Sequence, residues 1–128
     1  MDTMGMKNGG FGWFELMTTD VNGAKDFYKK LFGWEYEEVP ASEPPYTVVK
    51  MDGRPVAGIM GMPEGCGQIR PCWDIYVTVE DVDKTVKQVT ESGGKILRPA
   101  FDIPDVGRFC VLEDPQGAAI MAITYVKK

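Results

Sequence analysis

Glu15 and Asp74 are the two carboxylates whose setting suggests chemistry. Each interrupts an alternating apolar stretch, Glu15 between Phe14 and Leu16, and Asp74 between Trp73 and Ile75. Successive residues of a strand point to opposite faces, so Glu15 shares a face with Phe11, Trp13 and Met17. Asp74 likewise shares one with Cys72, Tyr76 and Thr78. A carboxylate on the interior side of a strand is costly unless it is paired, hydrated or used. A buried one with a raised pKa could serve as a general base. Tyr76 could then donate a hydrogen bond to a developing oxyanion. Trp13 with the two carboxylates also suits a flat or cationic molecule, held by cation–π contact and charge pairing. The plainer alternatives are that Trp13 and Tyr76 pack as core aromatics and that one sheet face is simply solvated.

Composition narrows the chemistry. The chain has 128 residues and no histidine. Ser-His and Cys-His nucleophile schemes are therefore closed to it, along with the commonest metal ligand. The three cysteines, Cys66, Cys72 and Cys110, match no C-x-x-C spacing and read as reduced small hydrophobes. With 14 basic and 19 acidic residues the formal net charge is -5, which argues against nucleic acid or an anionic membrane surface as partner. No apolar run approaches the roughly 20 residues of a membrane helix. Residues 1–10 are polar and glycine-rich and read as a flexible tail without a signal-peptide layout. A cytoplasmic protein is expected.

These side chains must be positioned by a repeated unit. Sliding the sequence on itself by 61 residues aligns Asp20-Val21 with Asp81-Val82, Tyr28 with Val89, and Gly33 with Gly94. It also aligns Ala57-Gly58-Ile59-Met60 with Ala118-Ala119-Ile120-Met121. Each half reads as strand, helix and three strands. Module one spans 11–62, with strands Phe11–Thr18, Trp34–Val39, Tyr46–Met51 and Val56–Met62. Module two spans 72–126, with strands Cys72–Val79, Lys95–Phe101, Arg108–Leu112 and Ala118–Val126. Asp20 and Asp81 suit helix N-caps, and Gly33 and Gly93-Gly94 suit left-handed C-caps. Asp52-Gly53 and Asp114-Pro115-Gln116-Gly117 mark turns, and residues 63–71 form the linker. The expected class is α+β, with two tandem βαβββ modules in a curved mixed sheet around a cleft and helices on the outer face. Phe14, Leu16, Ile75 and Val77 should then meet the helices. Met60 and Met121, equivalent by the repeat, are placed on the opposite face with Trp13, Glu15, Asp74 and Tyr76. As unbranched side chains, they suit gap-filling as well as ligand contact. The register at Arg108 and Cys110 is open, and neither is given a role.

Two stretches resemble a known family. They are Glu15-Leu16, Asp20-Val21 and the run from Asp26-Phe27-Tyr28 through Gly33-Trp34, and then Leu112-Glu113-Asp114-Pro115-Gln116-Gly117. From about Phe11 onward the chain resembles the vicinal oxygen chelate superfamily of glyoxalases, bleomycin resistance proteins and extradiol dioxygenases. The resemblance implies metal ligands on the first and last strands of each module. In this chain those positions correspond to Trp13, Met60, Asp74 and Met121. Tryptophan offers no acceptor and methionine only a weak, soft one. Asp74, with Glu15 nearby in the pattern, leaves two carboxylates at most, against the three or four protein ligands of a zinc centre. No metal and no cofactor are therefore expected. The resemblance also implies a homodimer, sometimes formed by exchange of modules.

Three functions remain open. The first is a metal-free small-molecule binding protein whose pocket comprises Trp13, Glu15, Met60, Asp74, Tyr76 and Met121. The second is a metal-independent isomerase, epimerase or lyase with Asp74 as catalytic base, assisted by Glu15 and Tyr76. The third keeps a divalent metal, as a lyase or dioxygenase. The ligand itself is not readable from the residues.

Overall fold

The computed structural model describes residues 6–39, 45–62, 71–103 and 106–125. Module one contributes β1 (Phe11–Thr18), α1 (Val21–Phe32), β2 (Glu35–Val39), β3 (Tyr46–Met51) and β4 (Arg54–Gly61). Module two contributes β5 (Cys72–Thr78), α2 (Val82–Glu91), β6 (Lys95–Ile103), β7 (Gly107–Glu113) and β8 (Ala119–Tyr125). The α+β class and the doubled βαβββ order are as the repeat implied. By contacts the chain falls into two compact units, Trp13–Asp74, and Ile75–Lys128 together with Met1–Gly12. Among the described residues no helix is long and apolar enough to cross a membrane.

In the first unit the strands lie in the order β2-β3-β4-β1. β1 and β4 run parallel, while β3 is antiparallel to both β4 and β2. α1 begins where the Asp20 carboxylate accepts a hydrogen bond from the Gly23 amide at 2.9 Å. It ends at Gly33, whose φ of 71° is a left-handed conformation that a side chain would strain. Leu16, Val49, Ala57 and Ile59 form the buried core beneath the helix, with Val21, Ala24, Tyr28, Trp34 and Tyr36 packed against them. The β3–β4 ladder continues to Met51 and Arg54 because Asp52 and Gly53 both take positive φ in a tight turn. β4 therefore starts two residues before the Val56 expected from apolar alternation.

The second unit repeats this layout. Its order is β5-β8-β7-β6, with β5 parallel to β8 and the other pairs antiparallel. Asp81 caps α2 by accepting from the Lys84 amide at 3.3 Å. Val82, Cys110 and Ala122 form its buried core, flanked by Val79, Val86, Ala100 and Leu112. β6 runs to Ile103, two residues beyond the expected end, because Asp102 and Ile103 stay paired with Arg108 and Gly107. Of the tail, Gly9 and Gly10 exchange backbone hydrogen bonds with Thr78, and the Asn8 side chain accepts from the Glu80 amide. Residues 1–5, most of the linker with Cys66, and residues 126–128 lie outside the described residues.

Candidate functional site

The face of each sheet away from its helix carries the residues singled out by alternation. In module one, register pairs Glu15 with Gly58 and Met17 with Met60, so Met60 lies on the face of Trp13 and Glu15. The opposite face takes Leu16 into the core, whereas Phe14 remains 43% exposed. Glu15 is 8% exposed, a cost that demands a partner. Tyr46 of β3 supplies one, its hydroxyl donating to Glu15 Oε1 at 2.9 Å. The same hydroxyl accepts from Trp13 Nε1 at 2.8 Å. An indole N–H can only donate, so the tyrosine proton is directed to the carboxylate. The result is a Trp13–Tyr46–Glu15 chain. Tyr46 had no sequence signal, since its partners lie 33 and 31 residues away.

Module two is lined differently. Tyr76 pairs in register with Met121, which confirms a shared face, and both are 6% exposed. The Tyr76 ring meets Phe109 edge-on at 5.7 Å between centroids, and Phe109 packs on Phe101 at 4.2 Å. The Arg98 guanidinium sits 4.0 Å from the Phe101 centroid. Phe101 escaped sequence reasoning because β6 carries register shifts that break simple alternation, and Phe109 because both faces of β7 carry apolar residues.

Asp74 is the chemically unusual group. Its Oδ1 accepts from the Cys72 thiol at 3.6 Å, while its buried Oδ2 has no hydrogen-bond partner among the described residues. Burial raises the pKa of this carboxyl from the ordinary value, against a smaller lowering by the Cys72 hydrogen bond. The register at Arg108 and Cys110 is now settled. Arg108 forms ion pairs with Asp83 of α2 and with Asp102 at 3.1 and 3.3 Å. Cys110 is fully buried beneath α2. Both belong to the helix side, away from Tyr76.

A groove of about 340 Å³ also opens on the helix side of module one, lined by Leu16, Ala24, Phe27, Tyr28, Cys72 and Trp73 among others. Asp20, the one carboxylate on its wall, is engaged as the α1 cap. This groove therefore offers apolar contact without the charge chemistry of the Glu15 face.

The donor set fits a divalent metal poorly. Among the described residues no group of three or more His, Cys, Asp or Glu side chains could hold one. Of Trp13, Met60, Asp74 and Met121, Asp74 alone is a hard donor.

The sequence profile of the glyoxalase/bleomycin resistance protein/dioxygenase superfamily matches residues 10–122. The putative glyoxylase CFP32 of Mycobacterium bovis is 43% identical over 111 residues, covering 84% of this chain and 42% of that protein. The anthracycline biosynthesis protein DnrV of Streptomyces peucetius is 34% identical over 122 residues, covering 84% of this chain and 44% of that one. The chain thus spans less than half the length of these curated relatives. Among solved structures, methylmalonyl-CoA epimerase from Mycobacterium tuberculosis superposes with a TM-score of 0.62 at 15% identity, covering 90% of this chain and 87% of that one. At that identity the likeness is one of fold.

Proposed function

The chain belongs to the glyoxalase/bleomycin resistance protein/dioxygenase superfamily, and on that premise we propose that it is a metal-free small-molecule binding protein for a flat, positively charged ligand. The observation that carries this reading is the lining of the faces away from the helices. The positions that would hold metal present an indole, two thioethers and one carboxylate, beside the buried carboxylate of Glu15. Within the unit Trp13–Asp74, Trp13 and Met60 supply apolar and stacking surface and Glu15 and Asp74 supply negative charge, while Tyr76 and Met121 line the corresponding face of the other unit. Homology to a protein named for anthracycline biosynthesis suits a flat ligand, since an anthracycline is a planar polycyclic aromatic. No cofactor enters the reading. A homodimer, checked by sedimentation, goes with it.

The test uses chelator-treated protein and a flat cation, N-methylquinolinium, against 4-methylquinoline, which is neutral at pH 8. Binding to the folded state raises the melting temperature, so a thermal-shift titration reads both probes. The cation is expected to bind more tightly, and Glu15→Gln and Asp74→Asn are expected to remove most of that preference. Equal affinity for the two probes, or a preference that survives both substitutions, would refute the reading. So would a stoichiometric divalent ion in protein purified without added metal.

The Oδ2 of Asp74, without a partner among the described residues, and the raised pKa of its carboxyl favour a second reading, a metal-independent isomerase, epimerase or lyase. Asp74 would take a proton from the carbon beside a carbonyl, and Tyr76 would donate a hydrogen bond to the enolate oxygen. Turnover that survives chelation and is lost in Asp74→Asn distinguishes it. Full turnover in that variant excludes it.

A further inference from the structure

We propose that Tyr46 is a positioning residue that aims the Glu15 carboxylate and thereby sets the preference for a positively charged ligand. The inference rests on the ligand-binding reading of the face away from α1.

Tyr46 stands on β3 and both of its partners stand on β1, with β4 between them. Adjacent strands lie about 4.8 Å apart, so the side chain must cross a whole strand. It does so above Gly58. A Cβ at that position would lie 1.6 Å from the Tyr46 hydroxyl and 2.1 Å from Cζ, inside any tolerable contact. Gly58 is also in register with Glu15 on one side and Val48 on the other. The glycine therefore leaves the seat in which the hydroxyl rests beside the carboxylate. Trp13 fixes the hydroxyl from the donor side, which turns its one proton toward Glu15. A hydrogen bond to a charged acceptor is stronger and more directional than one between neutral groups. Glu15 is thus held by a bridge spanning three strands, and its orientation depends on Tyr46 and on the space that Gly58 leaves for it.

The repeat offers an internal contrast. The offset of 61 places Gly107 opposite Tyr46, Ala119 opposite Gly58 and Tyr76 opposite Glu15. Module two therefore has neither the bridging phenol nor its seat, and it carries no carboxylate at the equivalent of Glu15.

Two variants test the idea from opposite directions. Tyr46→Phe removes the hydroxyl, and Gly58→Ala keeps it but evicts it from its seat. In unliganded protein both are expected to shift the Trp13 indole N–H resonance while leaving those of Trp34 and Trp73 in place. Both should reduce the preference for N-methylquinolinium over 4-methylquinoline about tenfold, as expected when a charge-assisted hydrogen bond is lost. Affinity for the neutral probe should stay within about twofold, because stacking surface is retained. A purely structural role would weaken both probes alike. A preference abolished by Glu15→Gln but retained in Tyr46→Phe and Gly58→Ala would overturn the proposal and leave the binding reading standing. No preference in the unaltered protein would instead overturn the binding reading, and the proposal with it. Should Tyr46→Phe fail to fold, Gly58→Ala carries the same test, and an unmoved Trp13 resonance there would refute the bridge itself.

Discussion

The two modules share a backbone plan and differ in what they do with it. Each pairs its first and last strands in parallel, β1 with β4 and β5 with β8, and each has an aspartate-capped helix over a small apolar core. On the face away from the helix the resemblance stops. Module one joins Trp13, Tyr46 and Glu15 through polar contacts across three strands. Module two packs Tyr76, Phe109 and Phe101 ring against ring. A duplicated fold thus keeps its helix-side plan and diversifies the opposite face, polar-bridged in one module and ring-packed in the other. The same asymmetry decides how each half should respond to substitution.

The largest effect is expected at Phe109, which is 6% exposed and touches two other rings. Phe109→Ala should cost about 3–5 kcal/mol in chemical denaturation, through lost burial and a residual cavity. Val48→Ala, its counterpart at the offset of 61, concerns a smaller, half-buried residue and should cost far less. Equal losses would break the contrast between an aromatic-packed and a polar-bridged face.

A smaller effect, of opposite sign, is expected at Asp74. Burial raises its pKa, so the folded state binds the proton more tightly than the unfolded chain does. That stability is fully present below the ordinary carboxylate value of 3.8 and is lost as pH rises through the folded value. Asp74→Asn removes the penalty and should stabilise the protein at neutral pH by about 1 kcal/mol, the scale of one buried unsatisfied group. The gain over the parent should vanish in acid, as thermal melts across pH would reveal. A variant less stable than the parent at pH 7 would show that the carboxylate is structurally required.

The helix caps, with expected effects no larger than that at Asp74, serve as the control. Asp20→Ala and Asp81→Ala each remove an N-cap bond and should each cost about 1 kcal/mol. Near-equal losses would sharpen the comparison by confining the asymmetry to the face away from the helices. A cap worth much more in one module would extend it to the framework.

Much of this was legible in the residues, and the reason is locality. Asp20 and Asp81 announce helix starts because a cap bond spans only three residues. Strand alternation put Trp13 with Glu15, and Asp74 with Tyr76, because its period of two is built into the backbone. The repeat carried Met60 and Met121 onto those faces, and the strand registers agree. Arg108 and Cys110 were not assignable in the same way, because both faces of β7 carry apolar residues. Pairing with Thr124 and Ala122 was needed to show that they lie under α2.

Tyr46 marks the boundary between the two kinds of information. Its own stretch identifies a strand, and Gly58 looks like an ordinary glycine in another. Their joint meaning exists only once β4 lies between β3 and β1, so that a phenol can cross a missing side chain to reach a carboxylate. The amino-acid sequence by itself determined the elements, the duplication and the faces, since each follows from contacts between near neighbours in the chain. Tertiary structure alone decided that Glu15 is held by Tyr46 and that Asp74 keeps an oxygen without a partner among the described residues. Both depend on which strands become neighbours, and hydrogen bonds between residues tens of positions apart leave no periodic trace in the chain.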